Sequence, residues 1–510
     1  MMAARQTNTL LLPRLLQGLM DVTNVPSIEV THIALDSREV QPDGVFLACR
    51  GLTSHGLDYL HQALRLGAKV VLWEPVDNSP QPVFPSTVTA IAVPDLAKKV
   101  GQIAARFYGE PANSLRVTGI TGTNGKTSCA HLLAQALTRD NAVCGVLGTL
   151  GQGIYHLDSP LQPGTHTTPN PVAVQSLLAD FVTQDASFAA MEVSSHALDQ
   201  GRVSGLRFHT AVFTNLTHDH LDYHGDLLHY ASAKQKLFLS DGLRHAVINA
   251  DDDTGRAMLK TLPETVSAIA YGLNNEADNA FELPANVRGL FATCRLHSDG
   301  LTLHIKSPFG DGELQARLLG RFNAYNLLAV LGSLLTLDVP FQKALGLLSQ
   351  SRTVPGRMEC FGGNHQPLVV VDYAHTPDAL RQVLIAARAH CTGKLYCVFG
   401  CGGDRDTAKR PVMGALAATL ADEVILTDDN PRTEDPMQII NNILSGIDNK
   451  NNVHVEQQRA TAIEQTINRA QAGDVVLIAG KGHEDYQIYG NEQRPYSDRT
   501  TVQQHLGGAA

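Results

Sequence analysis

Residues 115–138 read LRVTGITGTNGKTSCAHLLAQALT, and the fold follows from this stretch. An apolar run from Leu115 to Ile120 passes into a glycine-bearing turn, and apolar residues at helical spacing follow, the order strand, loop, helix. Glycines let backbone N–H groups approach phosphate oxygens, and the helix N-terminus adds positive potential. A lysine there neutralises terminal phosphates, and the next hydroxyl can hold Mg²⁺. Gly122, Thr123, Asn124, Gly125, Lys126, Thr127 and Ser128 are therefore expected to cradle the phosphates of a nucleotide, with Thr127 on the metal. Ile120 stands where the strict G-x-x-x-x-G-K-[ST] pattern has its first glycine. Kinases, GTPases, motors and ligases all use such loops, so the motif fixes the nucleotide and leaves the reaction open.

On either side of this loop the chain divides. Its 510 residues exceed one ordinary core and suggest roughly three or four domains. Short β-like runs such as Val45-Phe46-Leu47 and Lys69-Val70-Val71-Leu72 precede a proline-rich stretch from Pro75 to Pro94. After the loop, apolar runs at Phe188 to Val193, Thr210 to Asn215 and His245 to Asn249 alternate with helix-like segments, and Arg288 to Leu319 reads as hairpins. From about Arg352 the alternation starts afresh, each apolar run ending in a polar loop of the kind that binds ligands at strand C-termini. The expected fold class is α/β in three domains. They are a small N-terminal α/β domain (1–108), a central P-loop domain with a doubly wound, mostly parallel sheet (109–351) and a C-terminal Rossmann-like α/β domain (352–510).

Composition narrows the class of function. A net charge of −10 repels polyphosphate backbones and argues against nucleic-acid binding as the main activity. The eight cysteines form no C-x-x-C pair, which suits a reducing cytoplasm. The N-terminal residues lack the apolar core of a signal peptide, and no apolar run is long enough to span a bilayer, so a cytoplasmic protein without membrane insertion is expected.

Two further strand ends carry metal chemistry. Glu192 in Met191-Glu192-Val193-Ser194-Ser195-His196 can hold the Mg²⁺ of a nucleotide, and His220 in NLTHDHLDYH (215–224) can hold a second divalent ion. The histidines alone also suit a zinc hydrolase or plain structural roles, although no H-E-x-x-H pair is present.

Together TGTNGKTS, MEVSSHAL, NLTHDHLDYH with Tyr230-Ala231-Ser232-Ala233-Lys234, GRFNAYN, VPGRME, VDYAHTPDAL, GCGGDRD, DDNPRTEDP and GKGHEDYQ resemble the Mur ligases, from Asp36 to about Tyr489. Among them the chain is similar to the members that add the third peptide residue. The resemblance implies ATP-dependent, Mg²⁺-requiring amide formation in peptidoglycan precursor synthesis, and so a part in cell-wall growth, shape and division. The implied substrates are UDP-N-acetylmuramoyl-L-alanyl-D-glutamate and meso-diaminopimelate, and a monomer is expected.

The resemblance also assigns residues. Lys126, Lys234 and His220 are catalytic, Glu192 holds the first magnesium, and His220 with Lys234, carried as a carbamate, holds the second. Asn323, Asn326, Arg357 and Asp372 contact the nucleotide, while Ser37, Thr167, Thr168, Ser194, Gln200 and Arg202 hold the UDP-sugar dipeptide. His55-Gly56-Leu57-Asp58-Tyr59 stands where an Asp-Gly pair is common in the family. Arg405, Asp429, Asn430, Pro431, Arg432, Gly480 and Glu484 take diaminopimelate. Guanidinium forks suit its distal carboxylate, which lysine lacks, and desolvated arginines left unpaired by lysine imply a penalty of roughly 3–5 kcal/mol. A folylpolyglutamate synthetase and a P-loop switch protein are the competing readings, and DDNPRTEDP and GKGHED favour the cell-wall enzyme over the former.

Overall fold

The computed structural model describes residues 9–51, 54–76, 82–157, 159–164, 166–217, 219–273, 282–297, 300–363 and 365–506. Residues 1–8 of the N-terminal run, residues 77–81 of the proline-rich stretch, His218 and the side chains of Leu221 and Asp222 lie outside the described set. Two compact units form: Met1–Ala270, Leu283–Arg288 and Gly332–Asp338 make the first, and Tyr271–Glu282, Gly289–Leu331 and Val339–Ala510 the second. The first unit holds residues 1–108 and the P-loop part of 109–351, while 271–282, 289–331 and 339–351 group with the C-terminal residues.

In the first unit, β1 (Ile33–Ala34), β2 (Val45–Ala48), β3 (Val70–Trp73) and β4 (Thr89–Ala92) pair in parallel in chain order. Helix α1 (Leu96–Phe107) lays Val100, Ile103, Ala104 and Phe107 in one core with Leu47 and Leu72. The second sheet holds β5 (Arg116–Thr121), β6 (Cys144–Gly148), β7 (Gly151–Ile154), β8 (Phe188–Glu192), β9 (Thr210–Phe213) and β10 (His245–Asn249). These six strands run in the order β10-β9-β5-β8-β6-β7, parallel except for the β6–β7 hairpin. From Val117 onward β5 is buried on both faces, which is why it reads as a strand without alternation. Glu192 pairs with Ile120 and Phe213 with Thr121, so the loops after β5, β8 and β9 leave the sheet side by side.

In the second unit, β11 (Val287–His297), β12 (Gly300–Lys306) and β13 (Gly312–Ala316) are the antiparallel hairpins expected from sequence. Farther on come β14 (Glu359–Gly362), β15 (Leu368–Asp372), β16 (Leu395–Phe399), β17 (Glu423–Leu426), β18 (Val453–Val455) and β19 (Val475–Ala479), ordered β14-β15-β19-β16-β17-β18. Only β14 runs antiparallel. Strand alternation splits the core in two: Val370, Cys397 and Leu477 pack with Leu380, Met413 and Ile440, while Val371, Val398 and Ile478 pack with Ile463 and Val502. Helices thus cover both faces, and the polar loops gather at the strand C-termini. Among the described residues no helix is long and apolar enough to cross a membrane.

Candidate active site

The turn after β5 is sterically restricted to glycine at Gly122, where φ is +150° and a Cβ would stand 1.8 Å from Thr214 Oγ1. The residues after β9 clamp the turn. Thr214 Oγ1 donates to Asn124 O (2.6 Å), Asn124 N donates to Asn215 Oδ1 (2.9 Å), and Thr123 N donates to Asn215 O (2.8 Å). Gly125 caps the helix Lys126–Arg139 in the left-handed conformation, and the outward N–H groups of its first turn make an anion site. Lys126 Nζ bends back over the turn and donates to Gly122 O (2.8 Å) and Thr123 O (2.9 Å).

Glu192 ends β8, the strand next to β5, and is 1% exposed. Thr127 Oγ1 donates to its Oε2 (2.9 Å), Thr149 N to its Oε1 (2.7 Å) and Thr149 Oγ1 to its Oε2 (3.2 Å). A hydroxyl and a carboxylate thus meet beside the phosphate loop, the oxygen chemistry that Mg²⁺ prefers.

The histidine segment gathers around Tyr230. His224 stacks on its ring at 5.1 Å, and the His220 ring lies 6.2 Å from it and 4.9 Å from His196. The Tyr230 hydroxyl lies 3.3 Å from Thr123 Oγ1, which ties this cluster to the P-loop. Lys234, 1% exposed, sets its Nζ 4.3 Å from the centre of the same ring. Burial, then repulsion from Lys126, pushes the Lys234 pKa well below the ordinary lysine range, with Asp219 pulling the other way. A lowered pKa raises the uncharged, nucleophilic share of the amine. Among the described residues no three His, Cys, Asp or Glu side chains converge as a preformed metal cage.

Most of the residues expected to hold the sugar dipeptide form one linked set. Thr167 and Thr149 share a hydroxyl contact (3.0 Å), Thr168 Oγ1 donates to Glu192 O (2.9 Å), and Ser194 N donates to Thr168 Oγ1 (3.1 Å). Arg202 Nη1 donates to Thr168 O (3.0 Å), and its Nε and Nη2 hold Gln200 Oε1. Ser37 belongs to the N-terminal sheet region, where its hydroxyl donates to Gln62 Oε1 (2.8 Å). His55 and Asp58 close a capping box around the turn at Gly56–Tyr59, so this departure from the family pattern builds a local fold.

In the second unit Asn326 Nδ2 donates to Asn323 Oδ1 and Asn323 Nδ2 to Leu319 O, both at 2.9 Å. Asp372 receives N–H bonds from Met358 and Ala374, both at 2.8 Å, and burial raises its pKa against the pull of Arg357. Arg357 stacks on Tyr373 at 4.7 Å. Arg432 and Arg405 both approach Gly402, with Arg432 Nη1 donating to Gly403 O (2.7 Å) and Arg405 Nη1 to Asp404 O (3.1 Å). Asp429, Asn430 and Glu484 converge on the buried Lys481, with Gly480 beside Asp429.

Three family models match in sequence along the chain: "Mur ligase family, catalytic domain" over residues 29–108, "Mur ligase middle domain" over 120–334 and "Mur ligase, glutamate ligase domain" over 356–482. A UDP-N-acetylmuramoyl-L-alanyl-D-glutamate--2,6-diaminopimelate ligase of Alkalilimnicola ehrlichii is 50% identical over 97% of this chain and 98% of its own. The chain belongs to the Mur ligase family. A ligase of the same printed name from Coxiella burnetii is 45% identical over 95% of this chain and 97% of its own. A solved structure of a ligase so named superposes with a TM-score of 0.72 at 35% identity, covering 98% of this chain and 99% of that one.

In this Mur ligase, Thr149 and Asn215 of the first unit and Lys481 of the second received no role from the sequence. Thr149 orients Glu192 from the β6–β7 turn, Asn215 braces the P-loop, and Lys481 anchors the second-unit loops. Asn215 and Lys481 stand inside the quoted motifs, but no periodicity or spacing shows that a polar side chain points inward. Thr149 lies in no motif and had no such signal.

Proposed function

We propose that the chain joins meso-2,6-diaminopimelate to the γ-carboxylate of the D-glutamate in UDP-N-acetylmuramoyl-L-alanyl-D-glutamate, through an acyl phosphate, with release of ADP and phosphate. The observation that carries this reading is the near full-length identity to ligases of that printed activity. A carboxylate is a poor electrophile at neutral pH, and phosphorylation by ATP gives it a leaving group that the amine displaces. Lys126 and the first-turn N–H groups of the P-loop helix balance charge on the phosphoryl oxygens. Thr127 and Glu192 fit Mg²⁺ by their donor chemistry, and the metal bound there supplies charge neutralisation and phosphate orientation. Lys234, its pKa lowered by burial, can in its uncharged form attack CO₂ to give a carbamate with loss of one proton, and that carbamate with His220 would hold a second Mg²⁺. Asn323, Asn326, Arg357 and Asp372 are read as further nucleotide contacts, and Ser37, Thr167, Thr168, Ser194, Gln200 and Arg202 as contacts of the UDP-sugar dipeptide. The working division is 1–108 for the UDP-sugar, 109–351 for ATP and 352–510 for the amino acid, in a cytoplasmic monomer.

Arg405 and Arg432 are read as holding the distal carboxylate of diaminopimelate. Arg405 is exposed and Arg432 already donates to Gly403 O, so the desolvation penalty expected from sequence is too large. The loss of charged hydrogen bonds with lysine amounts to about 1.5–3 kcal/mol, or roughly tenfold to a hundredfold in kcat/KM. The test measures phosphate release and product mass with each amine. Release that requires both the UDP-dipeptide and diaminopimelate, with discrimination weakened in Arg432→Ala, is expected. Equal ligation of lysine, or release indifferent to both substrates, overturns the reading.

A further inference from the structure

Lys481 is fully buried, and its Nζ lies 3.0 Å from Glu484 Oε2, 3.2 Å from Asn430 Oδ1 and 3.4 Å from Asp429 Oδ1. One ammonium thus touches three of the residues assigned to the amine substrate, from two separate loops. The Tyr486 ring, 5.5 Å from the ammonium, adds another favourable face. A lysine so deeply placed needs a reason, because a solvated end is the ordinary fate of this side chain.

The backbone supplies the local cause. Gly480 and Gly482 flank Lys481 with φ of +117° and +53°. A Cβ at Gly482 would stand 2.7 Å from both Gly356 O and Tyr373 Cβ. The Gly-Lys-Gly turn is therefore pressed against its neighbours with the lysine directed inward.

We propose that Lys481 is a positioning residue for the amine substrate, fixing the orientation and charge of the Asp429, Asn430 and Glu484 side chains that receive it. This deepens, and rests on, the reaction proposed above. Asn430 Oδ1 accepts from Lys481 and from Ile488 N (3.1 Å), while its Nδ2 donates to Glu484 Oε2 (3.0 Å). The amide orientation is thereby set, with its oxygen toward the ammonium. Both bonds to Glu484 fall on Oε2, which turns Oε1 into the acceptor for a substrate ammonium. Two carboxylates around one ammonium leave the cluster one negative charge, matched to a single ammonium of the ligand. Without Lys481 the two anions face each other across a desolvated space, and Asn430 Oδ1 keeps only the Ile488 N–H as its donor.

The experiment uses the full-length enzyme with Lys481→Met, Glu484→Gln and the double variant, in steady-state assays with each of the three substrates varied in turn. Lys481→Met raises KM for the amine by about tenfold or more, while KM for ATP and for the UDP-dipeptide stays within about twofold. Glu484→Gln then raises the amine KM by a smaller factor in the Lys481→Met background than in the parent, because Glu484 has already lost its orientation. If Lys481→Met fails to fold, Lys481→Gln, which keeps a donor to Asn430 and Glu484 but no charge, is read in the same way. Parallel changes in all three KM values, a fall in kcat alone, or multiplicative effects in the double variant overturn the proposal. Parent enzyme that ligates an amine other than diaminopimelate refutes the substrate reading, while the Lys481 effect is still read on that amine.

Discussion

Asp498→Asn removes one charge from an ion pair that water does not reach. Arg459 Nε and Nη2 donate to Asp498 Oδ1 (2.7 Å) and Oδ2 (2.8 Å), and both side chains are 0% exposed. Burial opposes the charge on Arg459, and Asp498 more than offsets it, so the guanidinium pKa is raised. Removing one partner strands the other charge, which costs about 3–5 kcal/mol. For a domain of this size the unfolding transition then falls by roughly 6–20 °C. Calorimetry with a parallel guanidinium melt measures both quantities. The same guanidinium also donates to Ala479 O (2.9 Å) and Asp428 O (3.4 Å), the carbonyls just before Gly480 and Asp429. KM for the amine is therefore expected to rise with the loss of stability, while KM for the UDP-dipeptide holds. Arg459→Met/Asp498→Leu should recover much of the stability, since no buried charge remains. A change under about 1 kcal/mol in Asp498→Asn, or a double variant no more stable than the single one, refutes the reasoning.

Lys126→Ala is expected to lower kcat by about a hundredfold or more with an unchanged circular dichroism spectrum, and near-parent phosphate release would sink the P-loop assignment. Lys234→Ala should be inactive and partly restored by a short-chain carboxylic acid in the buffer; full activity without it removes the carbamate. His483 is held neutral by burial, then Arg357 and Arg499, with its pKa brought down to about 4 from an ordinary 6.5. Its contribution to stability is thus complete above pH 6.5 and is lost as pH falls toward 4, because the unfolded chain takes up the proton first. Denaturant melts across that window should show a shallower slope for His483→Gln, and parallel slopes for the two proteins would exclude this role.

The local order of the chain was legible in sequence because each signal is itself local. An apolar run, a glycine turn and a helical period around Gly122 to Thr127 are set by sterics and side-chain spacing within a few residues. The same holds for the β11–β13 hairpins and for the strands that end in DDNPRTEDP and GKGHED. The motifs, taken together, carried the family. Tertiary structure decided which strand ends became neighbours. The order β9-β5-β8 brings Asn215, the P-loop and Glu192 together although 91 residues separate Asn124 from Asn215. It also decided that Arg405 stays exposed while Lys481, in a loop quoted from the sequence, is fully buried. Burial and pairing depend on which distant segments close over a side chain. A lysine between two glycines has the same local spacing whether it faces water or three polar partners, so only the folded chain distinguishes a solvated cation from the anchor of a binding site.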